Sequence, residues 1–402
     1  MSEHHSSDDS DRHVAPAFEL KRTVATTPAF IYDEGLIRKN LGLLAGTRSS
    51  CGLKILYSIK ALPLASILEL IKPEVDGFSV SSLFEARLAA DALSGQGSIH
   101  ITTPGLRVDE IESIAAISDF ISFNSLRQYR RLSPFVPEKV RVGLRVNPGR
   151  SFLSDYRYDP CRPYSKLGVS LAETRAFFAQ FTTGTGRIEG LHFHNQFSSR
   201  TFTSLAQTIE ILERGLGEYF PRLRWLNIGG GYLFNSGEDL AELCIIVARL
   251  KEKWGLEVYF EPGKGVVGEA GCLVASVIDL FNSDGKTVAV LDTTVNHHPE
   301  VFEYQIQPSM DREHPDGTCS AVLAGCTCLS GDIFGEYTLA EPLALGDRVV
   351  FENIGAYSLI KANRFNGYNL PDVYAVDEKG AVRIVKRYAY DDYRRQWGKV
   401  ES

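Results

Sequence analysis

Between residues 55 and 260 the chain alternates short apolar runs with longer segments whose apolar residues recur at helical spacing. The runs are Ile55–Ile59, Gly77–Val80, Ser98–Ile101, Phe120–Phe123, Val140–Val146, Ile188–His194, Trp225–Ile228 and Glu257–Phe260. Helical spacing follows most of them, over Ser66–Ile71, Leu83–Leu93, Val108–Ile117, Ala172–Phe181, Leu205–Leu216 and Leu240–Trp254. Strand and helix alternating in this way predict a (β/α)8 TIM barrel. Lys60, Ser81, Asn124, Asn147, His194, Gly229 and Glu261 all fall at or just past the C-terminal ends of these strands, the face on which such barrels carry their active sites. The segment Pro148–Gly168 lacks periodicity and is rich in Tyr, Pro and Ser, which predicts an ordered loop at the site.

Past Gly271 the pattern changes to alternation at a period of two. Strands are predicted at Leu273–Leu280, Thr287–Leu291, Ala321–Leu323, Arg348–Phe351, Tyr357–Ile360, Val373–Ala375 and Val382–Val385. The expected organisation is a disordered leader over 1–26, the barrel over 27–270 and a mostly β domain over 271–402. A strand around Ala29–Tyr32 is expected to join the β domain.

The bulk numbers narrow the classes. A 402-residue chain that is 44% hydrophobic and 23% charged has ample material for two packed domains. The net charge of −7 argues against a nucleic-acid or anionic-membrane partner. No run reaches the roughly eighteen uninterrupted apolar residues of a membrane span. The first ten residues, Met-Ser-Glu-His-His-Ser-Ser-Asp-Asp-Ser, lack the basic start and apolar stretch of a signal peptide. Seven scattered Cys, an odd number, point to reduced thiols and a cytoplasmic location. Cys326 and Cys328 have no second pair at zinc-site spacing, so no metal is expected.

Lys60 is the most informative residue. It closes the strand in Lys54-Ile-Leu-Tyr-Ser-Ile-Lys60, where a rigid, partly desolvated amine suits a Schiff base. A single lysine at a strand end is more often solvated, but this one has company. The His-x-His alternation puts His192 and His194 on one strand face, and His194 is placed to stack on a flat ring. Gly229-Gly230-Gly231 follows a strand and precedes a helix, so its bare N–H groups suit a phosphate. Glu261, set by the Pro262-Gly263 turn, suits a protonated pyridine nitrogen, and Lys264 adds charge near a phosphate. Together these are the parts of a pyridoxal 5′-phosphate site.

The chain resembles the fold-type III, alanine-racemase-like pyridoxal phosphate decarboxylases. Within them it is most similar to the carboxynorspermidine/carboxyspermidine decarboxylases. The likeness rests on Ser81-Ser-Leu-Phe-Glu-Ala-Arg87, Arg145-Val-Asn-Pro148, Tyr158-Asp-Pro-Cys161, Leu291-Asp-Thr-Thr294 with His298-Pro-Glu300, Thr327-Cys-Leu-Ser-Gly-Asp332, and Lys361 with Phe365-Asn-Gly367. It implies Lys60 as the Schiff-base lysine, His194 on the ring, Gly229 to Gly231 and Tyr357 at the phosphate, and Glu261 at the pyridine nitrogen. It also implies a homodimer with shared sites, in which the partner chain supplies Cys328 as proton donor and Asp332 as ligand of a substrate amine. Glu303 and His298 are further candidate substrate contacts. After His194 the chain reads Asn-Gln-Phe-Ser-Ser-Arg200, a departure expected to lie along the substrate's tail.

The activity implied is decarboxylation of carboxynorspermidine or carboxyspermidine to the polyamine and CO2, a step of polyamine (spermidine) biosynthesis. The alternative is decarboxylation of a related diamino acid or aminopropyl-type intermediate in siderophore or other specialised biosynthesis. Diaminopimelate decarboxylation is less favoured, because its His-x-Gly-Ser segment is absent. A non-catalytic homologue is less favoured because Lys60 and Cys328 are both present.

Overall fold

The structure, a computed structural model, describes residues 24–398. The expected leader therefore lies, as far as residue 23, outside the described residues. The chain divides into two compact units. One comprises Arg38–Gly268 with Gly355–Ile360; the other takes residues 24–37, Glu269–Ile354 and 361–398.

The first unit is a closed (β/α)8 barrel. Its strands are Lys54–Ser58, Gly77–Val80, Ser98–Thr103, Phe120–Phe123, Arg141–Asn147, Ile188–His192, Trp225–Asn227 and Glu257–Phe260. Neighbours in this order pair in parallel, and the ring closes where Tyr259 and Phe260 register with Lys54 and Ile55. Strands buried on both faces read as unbroken apolar runs, which is why all eight were visible in the sequence. The helices between them start on local signals. Ser82 caps Leu83–Leu93 by accepting from Glu85 N, while the Glu85 carboxylate takes Ser81 N at 2.7 Å. One helix, Leu126–Leu132, was not expected; five of its seven residues are neither Leu nor another aliphatic, so its spacing is faint, but Ser125 caps it through Gln128 N.

One indole sits among the barrel's buried aromatic residues. Trp225 is fully buried and packs with Leu56, Phe120 and Tyr259. Space for it comes from two registered glycines on the neighbouring strands, Gly143 and Gly190. A Cβ on Gly190 would sit 2.0 Å from the indole, and one on Gly143 would sit 2.2 Å from it.

The β unit is a sheet ordered Ile333–Leu339, Cys319–Ala324, Lys286–Leu291, Gly271–Ser283, Ala29–Asp33, Asp372–Val376 and Val382–Lys386. Gly271–Ser283 is long enough to serve two sets of partners. Its first half pairs antiparallel with Ala29–Asp33 and Arg348–Phe351, and its second half pairs with Lys286–Leu291 past an irregularity between Val277 and Asp279. Ala29, Ile31, Cys272, Val274, Val350, Tyr374 and Val376 form its core.

Two expectations are corrected here. Ile333–Leu339 is a strand that was not anticipated, since Gly335 and Glu336 interrupt its apolar alternation. Tyr357–Ile360, expected as a strand, is a turn, and it belongs to the barrel unit. Tyr357 takes φ +63°, a left-handed value no strand residue adopts, and its N–H donates to Ala61 O at 2.9 Å.

Crowding predicts the sign of two glycine substitutions. Gly190→Ala forces the buried indole to move and should lower stability by about 1–3 kcal/mol. Gly42→Ala, in the helix Glu34–Cys51 with nothing within 4 Å, should raise it by about 0.5–1 kcal/mol. Urea unfolding midpoints at unchanged slope check both; a neutral Gly190→Ala would mean that Trp225 is not confined as described.

Candidate active site

The C-terminal ends of the barrel strands surround a pocket with about 450 Å³ of free space, part of it open to solvent. Lys60, His194, Gly230, Glu261, Lys264 and Tyr357 are among its lining residues. Six residues that were read separately from the sequence thus meet in one place.

Lys60 sits in a single turn, Ile59–Ala61, directly past its strand. Its side chain remains accessible because it projects into the pocket, yet protein surrounds it. That burial lowers its pKa, the Glu261 charge opposes the change, and Arg145 adds to it. The net direction favours the neutral, nucleophilic amine.

Glu261 lies at the end of Glu257–Phe260 and is 8% exposed. Burial alone would raise its pKa, but His192, Lys60 and Asn227 hold the carboxyl well below the usual carboxylate range. Asn227 Nδ2 donates to Oε1 at 2.7 Å, and His192 Nε2 lies 3.4 Å from Oε2. His194 is the counterpart. Burial, together with the Lys60 and Arg145 charges, pushes its pKa well below 6.5, so the ring is neutral. Gly230 N donates to His194 Nδ1 at 3.2 Å, which leaves the proton on Nε2.

The triple glycine is wedged between two neighbouring strand ends. Gly229 has φ +66°, and a Cβ there would lie 2.4 Å from Phe193 O; a Cβ on Gly230 would lie 2.0 Å from Glu261 O. No other residue type fits these positions without moving the backbone.

The segment Asn195–Arg200 has a structural place of its own. It packs on the glycine loop: Ser199 N donates to Gly231 O and Leu233 N to Ser199 O. Gln196 ties it to the next helix through Ser204 Oγ at 2.9 Å. Phe197 and Ser198 line the pocket itself. Ser198 Oγ is buried without a hydrogen-bond partner among the described residues. With the Gly229 and Gly230 N–H groups engaged by Asn227 and His194, the bare Ser198 hydroxyl, the Gly231 N–H and Lys264 remain on the lining as a donor set that suits a phosphate, so these residues fit pyridoxal 5′-phosphate. Phe197 also stacks on Tyr158 of the Pro148–Gly168 loop, with centroids 4.4 Å apart. The loop's end is tied down by Asn124, which donates to Lys166 O and accepts from Gly168 N, and by Asn147, which donates to Leu167 O.

Cys328, Asp332, His298 and Glu303 belong to the β unit. Cys328 is exposed, and its N–H donates to Asn366 Oδ1 at 2.8 Å. His298 is buried. Glu303 is ion-paired with Lys361 at 2.6 Å. The structure gives Asp332 a task other than the expected one of holding a substrate amine. It is 3% exposed and accepts from Val295 N at 2.8 Å, from Thr327 N at 3.0 Å and from the Thr327 hydroxyl. With three donors from its own unit, this carboxylate shapes the loop that carries Cys328 rather than standing free for a ligand.

Sequence reasoning missed Asn227, Ser198 and Arg145. For Arg145 there was a signal: a guanidinium inside the apolar strand Arg-Val-Gly-Leu-Arg-Val-Asn, here 8% exposed and sensed by both Glu261 and Lys60.

Comparison with known proteins settles the class. The family model described as pyridoxal-dependent decarboxylase, C-terminal sheet domain, matches residues 29–355. The chain belongs to that family. The decarboxylase is 31% identical to the carboxynorspermidine/carboxyspermidine decarboxylase of Campylobacter jejuni, covering 91% of this chain and 97% of that protein. It is likewise 31% identical to a carboxyaminopropylagmatine decarboxylase of Synechocystis, covering 92% and 95%. The crystal structure of C. jejuni carboxynorspermidine decarboxylase complexed with norspermidine superposes with a TM-score of 0.82 at 29% identity, covering 92% of this chain and all of that one. The decarboxylase is thus a pyridoxal phosphate-dependent carboxy-lyase. No helix among its described residues is long and apolar enough to cross a membrane.

Lys60→Ala should abolish covalent attachment of the cofactor. Peptide mapping after borohydride reduction checks it, and cofactor found on another lysine would displace Lys60 from its assigned role.

Proposed function

We propose that this decarboxylase removes the α-carboxylate of a carboxylated polyamine of the carboxynorspermidine or carboxyspermidine type, releasing CO2 and the polyamine. The observation that carries the reading is 31% identity to the C. jejuni enzyme of that name along nearly the whole of both chains. Carboxyaminopropylagmatine, the substrate named for the Synechocystis relative, is the second reading, favoured by equal identity. All three names describe an amino acid whose side chain ends in a long amine-bearing arm.

Pyridoxal 5′-phosphate, when bound, supplies the electron sink that makes loss of CO2 feasible. The chain's own residues then have defined tasks. Lys60 would hold the cofactor through its amine. Glu261, ionised and buried, keeps a proton on the pyridine nitrogen. His194, neutral and locked by Gly230, covers the ring. The Gly229–Gly231 loop, through its Gly231 N–H, would bind the phosphate together with Ser198, Lys264 and Tyr357. Cys328, from the partner subunit of a two-fold dimer, returns a proton to the α-carbon, a task a thiol can perform as general acid. Asp332 keeps the Cys328 loop in shape. Glu303 is the remaining acidic candidate for the distal ammonium, which would have to displace Lys361 from it. Seven free cysteines support a cytoplasmic location.

Substrate choice is tested on one preparation by kcat/KM for CO2 release. Carboxynorspermidine and carboxyspermidine should exceed meso-diaminopimelate, lysine and ornithine by at least tenfold; comparable turnover of diaminopimelate would sink the polyamine reading and leave the decarboxylase standing. The dimer is tested by complementation. Mixed Lys60→Ala and Cys328→Ala subunits, each inactive alone, should recover part of the activity by collecting both defects in one of two shared sites. No recovery despite demonstrated subunit exchange would place Cys328 in its own chain's site.

A further inference from the structure

Asn227 ends the strand Trp225–Asn227, is 2% exposed and touches two parts of the pocket at once. Its Nδ2 donates to Glu261 Oε1 at 2.7 Å, and its Oδ1 accepts from Gly229 N at 2.9 Å. The amide cannot be turned round: the carboxylate offers acceptors alone and the Gly229 N–H is a donor alone, so one orientation satisfies both. Gly229 in turn accepts from Glu261 N at 2.8 Å, and Gly230 N donates to His194 Nδ1. An unbroken hydrogen-bonded path therefore runs from the ring-covering histidine through the glycine loop and Asn227 to the buried acid.

We propose that Asn227 is the positioning residue of this site, fixing Glu261 as an oriented anion while it sets the glycine loop in register with it. The inference rests on the functional reading above, in which Glu261 faces the ring nitrogen of the cofactor. Two properties of the side chain are needed together. An apolar residue of the same size leaves Oε1 and Gly229 N unpartnered in the interior. An aspartate, of nearly identical shape, presents an acceptor to each and sets a second carboxyl against Glu261.

The charged and titratable groups facing Glu261 are Lys60 from the first strand's end, His100 from Ser98–Thr103, Arg145 from Arg141–Asn147, and His192 with His194 from the strand of Ile188–His192 and its extension. Burial holds all three histidines neutral near pH 7, His100 down to about 3. Lys60 and Arg145 are then the cations in play, and neither makes the short hydrogen bond to Oε1 that Asn227 makes.

The sign of the Asn227→Asp effect follows. Two carboxyls in contact titrate as a pair, and the second proton leaves only at a raised pH. Below that pH the new carboxyl keeps a proton, donates it to Glu261 and imitates the amide. Above it both are anions and the geometry is lost.

The test uses full-length protein loaded with pyridoxal 5′-phosphate, comparing wild type, Asn227→Asp and Asn227→Leu. Asn227→Leu should lower kcat by on the order of 10²-fold with KM changed less than about threefold, the scale of losing a preorganised electrostatic group. Asn227→Asp should be active at the acid end of the profile and lose kcat as pH rises through a limb absent from wild type. The visible absorption of the bound cofactor, titrated without substrate, should show the same new transition. A pH profile and titration for Asn227→Asp that overlay the wild type, or near-normal kcat in Asn227→Leu, overturn the inference while leaving the functional reading intact. Wild-type protein that takes up no cofactor overturns both. Should Asn227→Leu fail to fold, the isosteric Asn227→Asp decides alone, because a purely structural role moves stability and not the pH dependence.

Discussion

An ionised carboxylate taken out of water is among the most costly groups a protein can bury, and the mouth of this barrel is organised around one. Glu261 has a few per cent of its surface exposed, yet its pKa lies below the normal range. Burial pushes the other way, so the anion exists because the surrounding strand ends supply an amide donor, an imidazole and two cations. The same cluster has the opposite effect on its neighbours. Lys60, His192 and His194 all shift toward their neutral forms, since desolvation outweighs the attraction of the carboxylates nearby. One set of contacts thus shifts the amine toward its neutral form, keeps the ring-covering imidazole neutral and fixes the anion, a combination that suits a pyridoxal phosphate decarboxylase.

Backbone geometry makes the arrangement rigid. The glycine loop lies so close to the adjoining strand ends that a single added carbon on Gly230 would meet the Glu261 carbonyl. Glu261 N and Gly229 O are hydrogen-bonded, so the acid and the loop are parts of one backbone unit. Tyr357 enters the same pocket from the turn at Gly355–Ile360, held in a left-handed conformation by its N–H bond to Ala61, the residue after Lys60. A bulky residue at positive φ stores strain, and such strain persists where the surroundings over-determine it, as they do at this site.

In the β unit a second buried carboxylate does different work. Asp332 gathers Val295 N and two donors of Thr327, next to Cys328, while Asn366 receives the N–H of Cys328 itself. The thiol is presented at the surface of its unit on a loop that is fastened from both sides. Two acids that look alike in the sequence, each near a candidate catalytic residue, thus serve opposite ends: Glu261 acts in the barrel pocket, and Asp332 holds a loop together.

The chain's own pattern determined the eight buried strands, the change of period near Gly271, and the placing of Lys60, His194, the glycines and Glu261 at strand ends. Those features are local, since a parallel barrel strand must be apolar along its length and its last residue must face the open end. Tertiary structure decided the rest. The turn at Tyr357, the packing of the Asn195–Arg200 segment against the glycine loop, and the tasks of Asn227 and Asp332 depend on distant partners, 34 and 37 positions away in the latter two cases. A polar side chain two residues before a glycine run, or four after a cysteine, reads the same whether it meets substrate or backbone. Hydrogen-bond partners are chosen by the packing of distant strands and loops, and periodicity along the chain carries no record of that choice.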